Sequence, residues 1–358
     1  MDFEFSGDQD LLRESVRRYL TERAPIAYVR DHISSSTTRD DIWLGLAELG
    51  LTGMLIPEGF GGAGMGMVDL ALPLGEMGRS VYPGPFAASA IGAVVTLRTL
   101  DDADASAQWL PGLGAGTTVA VIASSDSRDS RTTVDGTGAV TGTKVHVLDA
   151  AAADVLFVTA DAADGPAIVA IESGAPGVTL TVTDTVDVTR RFGQVHLDSA
   201  SGQRLNGHAA AAIVAADDTL GVAMVLDGIG AAERALELTL EYAKNREQFG
   251  KPIGSFQAVQ HLCADMLRAI ELGRAVAYYA AWACDAADPT ERHRAATMAR
   301  AFAADGLYRV AANAIQVFGG IGFTWEHDIH LFYKRLLTLQ LFGGSAGDHL
   351  EELAAVVL

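Results

Sequence analysis

The chain has 358 residues, of which 49% are hydrophobic and 20% are charged, so it is long enough for two or three structural units around a sizeable buried core. Its formal net charge of −19 argues against a nucleic-acid partner and against electrostatic docking on an anionic membrane. Any anionic ligand must therefore meet local positive groups, because the mean field of the protein repels it.

The remaining bulk features predict a cytoplasmic protein. We expect no membrane span, because we identify no apolar run in the sequence that is long enough to cross a bilayer. The start of the chain, residues 1–5, lacks the basic and apolar segments of an export signal. The two cysteines, Cys263 and Cys284, stand in helical sequence without metal-ligand spacing, so we expect buried thiols.

Residues 1–116 are predicted to form an N-terminal α-helical domain. Apolar residues recur at helix spacing after Ser6, a candidate helix cap. Further helices are predicted over 42–51 and 68–78. The loop between them, residues 56–64, is rich in Pro and Gly, and we assign it a structural role only.

Residues 117–215 are predicted to form a middle antiparallel β domain. Short runs rich in β-branched residues are separated by Gly, Asp, Ser and Pro turns. These runs are residues 119–122, 139–140, 145–148, 155–158, 167–171 and 178–182. The segment 187–192 is expected to lie on a salt-bridged surface.

Residues 216–358 are predicted to form a C-terminal four-helix bundle, since the apolar period becomes helical again. The predicted helices are residues 220–246, 256–285, 290–318 and 348–358. Asp217 and Asp218 are expected at the N-terminus of the first of them. The order of helices, β domain and helix bundle predicts an α+β fold.

The first candidate binding segment follows the long helix. Arg246 can fork onto phosphate oxygens, and Gln248 and Phe249 add an amide and an aromatic ring before a Gly-Lys-Pro turn. Phe256 and Gln257 come just beyond. Such a segment could bind a ligand that carries a pyrophosphate, although an arginine here could also serve only to end its helix favourably against the helix dipole.

The second candidate segment is centred on Gln316, Gly319 and Gly320. It supplies another amide and glycines that let a backbone approach a ligand closely. By themselves the glycines could equally form a helix C-cap.

Together the two segments resemble the flavin-binding segments of the acyl-CoA dehydrogenase family, Arg-x-Gln-Phe-Gly and Gln-x-x-Gly-Gly-x-Gly. Residues 43–80 also look like the amino-terminal helical domain of that family, and the resemblance covers essentially the whole chain. It implies the acyl-CoA dehydrogenase fold and FAD as cofactor. In the family each active site is built across a subunit interface, and these two segments bind the adenine and phosphate half of the cofactor of the neighbouring subunit.

The resemblance also implies that the catalytic base is missing. The family usually carries a Glu in an aromatic-Glu-Gly-Thr run near the carboxyl end, where this chain has Gly343. Some members carry the base on the helix before the arginine motif, where this chain has Leu220, followed by Gly221 in place of a substrate-binding Arg. We therefore predict no catalytic residue of its own. In the β domain a family Trp is replaced as well, and only a serine loop around Ser125 could still donate to a flavin.

One half-site is thus kept and its complement is lost. This resembles the non-catalytic subunit of actinobacterial α2β2 acyl-CoA dehydrogenases, several of which act on CoA esters of steroid side chains. We predict a chain that completes the FAD site of a catalytic partner subunit, which binds most of the acyl-CoA and oxidises it to the 2,3-enoyl-CoA. Two alternatives stay open. One is a homo-oligomer with a relocated base, such as Asp227 or Asp348, or with a changed reaction, and the other is a scaffold without flavin.

A cluster of His327, His330, Glu326 and Asp328 could suggest a metal site. Its spacing is not a recognised ligand set. We therefore expect a salt-bridged helix start and no metal.

Overall fold

The computed structural model describes residues 5–35 and 41–357, so residues 1–4, on which the export prediction partly depends, and Leu358 lie outside it. Six α-helices precede the first strand: α1 (Gly7–Arg23), α2 (Ile26–Ile33), α3 (Asp41–Glu48), α4 (Met67–Arg79), α5 (Val94–Leu100) and α6 (Ala103–Gly114). Ser6 accepts from the backbone of Gln9, whose side chain binds back to Ser6. The prediction of a cap at Ser6 is therefore confirmed.

Eight strands form one sheet: β1 (Ala120–Ala123), β2 (Thr133–Val134), β3 (Ala139–Leu148), β4 (Val155–Ala162), β5 (Gly165–Glu172), β6 (Val178–Thr183), β7 (Phe192–Ser201) and β8 (Gln203–Arg204). Their order is β6-β7-β3-β2-β4-β5-β8, with β1 beside β4. Most neighbours are antiparallel, as predicted, but β1 and β2 each pair with β4 in parallel.

The C-terminal part is helical apart from one small hairpin. Its elements are α7 (Ala209–Asn245), β9 (Glu247–Gln248), β10 (Lys251–Pro252), α8 (Gln257–Ala286), α9 (Pro289–Phe318), α10 (Ile329–Thr338) and α11 (Ala346–Val357). Helix α7 begins at Ala209, well before the sequence pattern predicted. Asp217 and Asp218 therefore lie inside the helix and not at its N-terminus, so that prediction is wrong. The division of the chain at 116/117 and 215/216 stays a prediction.

Helix α7 is the central element of the helical region. It packs against α4, α8, α9 and α10, and in the described residues it alone is long and apolar enough to cross a membrane, contrary to the expectation that no such run exists. However, 72% of its most apolar window is buried inside the protein, which is the behaviour of a core helix.

A buried charge network joins the helical and β regions. The guanidinium of Arg335 on α10 donates to Thr189 Oγ1 at 2.9 Å, to Asp227 at 3.2 Å and to the carbonyl of Tyr82 at 2.9 Å. Asp187 and Arg335 are each 1% exposed. The expectation that residues 187–192 form a salt-bridged surface is wrong, since this segment is part of the interior.

Candidate functional site

The first predicted binding segment forms a hairpin that projects from the end of α7. Strands β9 and β10 pair with Gln248 opposite Lys251, and the two turn residues between them have positive φ, 53° at Phe249 and 78° at Gly250. Such a turn matches the twist of a two-residue hairpin, although φ > 0 is costly for a phenylalanine. The ring of Phe249 is 92% exposed. The chain thus presents an aromatic ring to solvent at the tip of a strained turn.

The polar side chains of this hairpin are available to a ligand. Arg246 is exposed, and its side chain makes no hydrogen bond or ion pair within residues 5–35 and 41–357. Its backbone carbonyl accepts from Ile253, which fixes the base of the hairpin at 2.8 Å. Within the part of the chain that the structure describes, the side-chain amide of Gln248 donates only to the carbonyl of the adjacent Glu247. An unpartnered guanidinium on a fixed backbone is suited to an anionic group.

The rest of the first segment lies directly behind the turn. The ring of Phe256 is edge-to-face with that of Phe249, with centroids 6.1 Å apart, and the Lys251 ammonium lies 4.4 Å from the centroid of the same Phe256 ring. Gln257, the first residue of α8, is exposed. Two rings and two cationic groups therefore share one small surface.

The second predicted segment ends α9. Gln316 is exposed, and Gly319 adopts φ 65° and ψ −141°, a conformation that only glycine accepts readily. A Cβ added at Gly319 or at Gly320 would meet no atom within 4 Å. The backbone here is open to close approach by a ligand.

The structure brings the two segments together. Tyr242 lies one turn before Arg246, whose amide donates to its carbonyl, and the Tyr242 ring stacks on that of Phe318 at 4.3 Å between centroids. Phe318 immediately precedes Gly319. This aromatic pair holds the end of α7 against the end of α9, so both segments face solvent on the same part of the molecule.

Neither position expected for a catalytic base carries a carboxylate. Gly343 is exposed and has φ 73°. Leu220 is 8% exposed and lies near Gly92, which belongs to a π-helical turn over Ala87–Ala93. The side chain of Arg300 lies between Gly343 and Gly221, the residue after Leu220, with Nη1 3.2 Å from the position that a Cβ at Gly343 would take.

The two acids considered as relocated bases are both engaged. Asp227 is 6% exposed and binds Arg190 at 2.7 Å and Arg335 at 3.2 Å. Asp348 is exposed and accepts from the backbone and hydroxyl of Ser345, each at 2.7 Å. These hydrogen bonds hold the pKa of Asp348 below its ordinary value. A base needs a free carboxylate with a pKa near the working pH, so neither acid is suited to that role.

The serine loop of the β domain is organised by a lysine that sequence reasoning did not single out. Lys144 on β3 is 1% exposed, and its ammonium donates to Asp126 at 2.6 Å, to Thr159 at 2.9 Å and to the carbonyl of Ser124 at 3.2 Å. Burial lowers the pKa of Lys144, while the ion pair with Asp126 opposes that shift. The two-residue period of a strand places Lys144 on the same face as Val140 and Gly142, and this is the sequence signal that could have identified the inward-facing lysine.

The residues of the histidine cluster make contacts at the start of α10. The ring Nδ1 of His327 accepts from the amide of Ile329, and Asp328 pairs with Arg30 on α2 at 2.7 Å. His330 is 5% exposed and lies edge-on to Trp325. Burial, together with the charge of Lys334, lowers the pKa of His330 to about 4, so this imidazole is neutral at physiological pH.

A cavity of about 460 Å³ lies elsewhere, between the beginning of α4 and the helices α7, α8 and α9. Its walls include Arg98, Arg292, Asp285 and Met67, and none of the predicted binding residues contributes to it. Cys284 also lines it, and burial raises the pKa of that thiol to about 12. A raised pKa disfavours the reactive thiolate. Cys284 and Cys263 are both only partly buried, so the prediction of buried thiols holds only in part.

Comparison with known proteins gives a consistent result. Residues 6–117 match the acyl-CoA dehydrogenase N-terminal domain and residues 220–358 match the acyl-CoA dehydrogenase C-terminal domain. Acyl-CoA dehydrogenase IpdE2 of Mycobacterium tuberculosis (strain ATCC 25618 / H37Rv) is 34% identical over 334 residues, which are 92% of this chain and 90% of that protein.

Two solved structures are also similar over the full length. One, described as the Tcur3481-Tcur3483 steroid ACAD G363A variant, superposes with a TM-score of 0.90 at 29% identity and covers 98% of this chain and 97% of that one. The other, the ChsE4-ChsE5 complex from Mycobacterium tuberculosis, superposes with a TM-score of 0.92 at 25% identity and covers 100% and 99% of the two chains.

Proposed function

Because this chain belongs to the acyl-CoA dehydrogenase family, we propose that it is the base-less subunit of an FAD-dependent acyl-CoA dehydrogenase. In this role it completes the FAD site of a different, catalytic subunit, which oxidises the bond between the α and β carbons of an acyl-CoA. By itself the chain is inactive as a dehydrogenase.

One observation carries the proposal. The residues expected to bind FAD are available to a ligand, since Arg246 has no partner in the described chain and the backbone at Gly319 and Gly320 is open. The two places where a base would stand hold Gly343 and Leu220, which cannot accept a proton. The same chain therefore combines a surface suited to a cofactor with positions that cannot supply a base.

The residues present fit FAD on physical grounds. The free guanidinium of Arg246 suits the pyrophosphate, and the amides of Gln248 and Gln316 can donate to polar groups nearby. Phe249, Phe256 and Gln257 supply apolar and polar contacts to an adenine, and the two glycines allow the backbone to come close. When bound, FAD accepts the hydride that leaves the β carbon of the acyl group. The carboxylate that removes the α proton then has to come from the partner.

The partner is proposed to be an unlike acyl-CoA dehydrogenase chain in an α2β2 assembly. Two similar structures are described by pairs of different chains, ChsE4-ChsE5 and Tcur3481-Tcur3483. Exposed apolar side chains beside the cofactor-binding surface, Phe249, Ile321, Phe323 and Trp325, are suited to burial against such a subunit.

The substrate is proposed to be an acyl-CoA, and a CoA ester of a steroid side chain is the narrower proposal. The latter is supported by the description of one similar structure as a steroid acyl-CoA dehydrogenase. A cytoplasmic location, with no nucleic-acid or membrane partner, remains part of the proposal and agrees with a net charge of −19.

The proposal is tested by co-expression. The chain alone should purify without flavin colour or remain insoluble, whereas co-expression with an acyl-CoA dehydrogenase that carries the Glu, beginning with the product of the adjacent reading frame, should give a yellow, active complex. Replacing Arg246 with Ala should weaken FAD binding by the complex about tenfold or more, because a hydrogen bond to a charged group contributes about 1.5–3 kcal/mol.

Lys244→Ala is the matched control for that substitution. Lys244 is exposed on the last turn of the same helix, so its loss removes a favourable charge from the helix end without removing the phosphate contact. Full flavin occupancy and dehydrogenase activity in the isolated chain would refute the proposal, as would equal FAD affinity in the Arg246→Ala and Lys244→Ala complexes.

A further inference from the structure

Arg300 on α9 reaches into the place where the catalytic groups are missing. Its side chain is 4% exposed and runs between Gly221 on α7 and Gly343 in the loop before α11. A Cβ added at Gly221 would lie 2.8 Å from Arg300 Cδ and 3.2 Å from Nε, and one added at Gly343 would lie 3.2 Å from Nη1. Two glycines on different elements thus border a single arginine.

The contacts at Gly221 are too close for any other residue. Real Cβ atoms essentially never approach a heavy atom closer than 3.0 Å, so any other residue at this position requires the buried side chain of Arg300 to shift. Gly221 therefore makes room for this arginine. Gly343, with φ 73°, leaves space on the other side of the guanidinium and allows the loop to turn.

Arg300 pairs with acids on α7 and belongs to a larger cluster of charged and titratable groups on α7, α9 and α11. On α7, Asp217 accepts from Nη1 at 2.7 Å and the fully buried Asp218 lies 3.7 Å from Nη2. On α9, Arg292 and His293 both bind Asp218, and on α11, His349 lies near Glu352, which also approaches His293. Arg300 Nε and Nη2 still have no hydrogen-bond acceptor among the described residues. The guanidinium therefore keeps donors available for a further carboxylate.

We propose that Arg300 is a positioning residue that keeps this chain's own site silent: it occupies the space left by Gly221 and Gly343 and pairs with any carboxylate restored at position 343. This inference rests on the proposed function, in which position 343 is the vacant base position. It adds that Gly343→Glu alone would not restore a working catalytic base.

The physical reason is electrostatic. A cation within about 4–6 Å of a carboxylate lowers its pKa by about 1–3 units. A general base works best when its pKa is close to the working pH. A Glu introduced at position 343 would be held by Arg300 as an ion pair, so it would be too weak a base to remove the α proton.

The test compares Gly343→Glu in two backgrounds, with Arg300 kept and with Arg300→Met. In the full-length chain labelled with ¹³C-glutamate, the signal of the new carboxylate is identified by difference from Gly343→Gln, and its pKa is read from a pH titration. We expect a pKa below the ordinary value when Arg300 is present and a rise of about one unit or more with Arg300→Met. Equal pKa values in the two backgrounds would overturn the proposal. Because both variants carry the same strained φ at position 343, that strain does not affect the comparison.

A second measurement serves if the Arg300→Met chain does not fold. Gly221→Ala should lower the melting temperature by about 5 °C, because the added methyl group overpacks the contact with Arg300. Gly92→Ala is the control, because its Cβ would make only ordinary contacts at 3.7 Å. If Gly221→Ala is no more destabilising than Gly92→Ala, Arg300 does not depend on the missing side chain and the proposal fails.

These outcomes are separate from those of the proposed function. A chain that binds its own flavin and dehydrogenates an acyl-CoA alone would refute the proposed function while leaving the titration difference intact. Conversely, an unaffected pKa at position 343 would remove the role of Arg300 and leave the shared FAD site untouched.

Discussion

Asp149 illustrates how burial outweighs charge pairing at one residue. It lies in the interior beside the network of Arg335, Asp227 and Asp187, and Arg190 and Arg335 both act to lower its pKa. Desolvation is the larger effect and raises the pKa of Asp149 to about 7, from an ordinary value of 3.8. The folded protein therefore holds a proton here over a pH range in which the unfolded chain has lost it.

The raised pKa of Asp149 predicts that its stabilising contribution to the folded protein falls as pH rises. Asp149 binds this extra proton in the native state between about pH 4 and pH 7, so its contribution to the free energy of unfolding is largest below pH 4 and falls by about 1.4 kcal/mol per pH unit up to about pH 7. Asp149→Asn should flatten that slope, and Asn also accepts the φ of 55° at this position. Urea unfolding of both chains at pH 5, 6 and 7.5 measures the pH dependence of the free energy of unfolding.

Asp101→Asn is the matched control for that prediction. Asp101 is exposed and has a similar φ of 60°, so its replacement removes a carboxylate from the same backbone conformation at the surface. If Asp149→Asn leaves the pH slope of the native chain unchanged, Asp149 is ionised throughout that range and the assignment is wrong.

At the scale of elements, the contact between α4 and α7 depends on small residues. A Cβ at Gly78 would lie 1.7 Å from the carbonyl oxygen of Asp227, and one at Gly230 would lie 1.7 Å from that of Gly75. The two helices can therefore lie backbone to backbone only because these positions lack side chains. This close approach also sets the position of Asp227, which receives Arg190 and Arg335.

Gly78→Ala should therefore destabilise the protein by about 3 kcal/mol or more, since the methyl group meets backbone that cannot rotate away. Gly75→Ala, three residues earlier on the same helix, is the control, because its Cβ would meet no atom within 4 Å. That substitution should be neutral or stabilising by up to about 1 kcal/mol through helix propensity. Thermal and urea unfolding compare the two, and equal effects would mean that the helices are not in this close contact.

At the scale of the whole molecule, the buried core is distinct from the surface proposed to bind the cofactor and the partner. The core is continuous from the N-terminal helices through the sheet into the bundle. The proposed cofactor-binding hairpin and the residues that follow α9 lie outside it, with exposed rings at Phe249 and Phe323. A substitution there should change association while leaving the free energy of unfolding unchanged.

Phe249→Ser tests this separation. Its ring is 92% exposed, so unfolding of the chain alone should change by no more than about 0.5 kcal/mol. In the complex with the partner, release of the partner or of FAD should be at least about fivefold faster, as for loss of a contact worth ~1 kcal/mol. Leu11→Ser, an exposed apolar residue on α1, is the control. Equal release rates for the two variants would contradict the proposed role of the hairpin.

The sequence by itself determined the kind of protein this is. Helical and alternating periods predicted the order of helices, sheet and helix bundle, because they record which face of each element is apolar. The two flavin-type segments and the absence of a carboxylate at Gly343 and Leu220 were also readable as residue types at given positions. Those features are local along the chain.

Only the tertiary structure decided what fills and joins these elements. Arg335 binds Asp227 from 108 positions away and Tyr82 from 253, and Arg300 reaches Asp217 across 83. A periodic pattern shows that a face is buried but not which partner covers it. It therefore predicted a surface at Asp187 and a helix start at Asp218, where the folded chain instead buries both carboxylates against arginines, because an unpaired charge in the interior would be too costly.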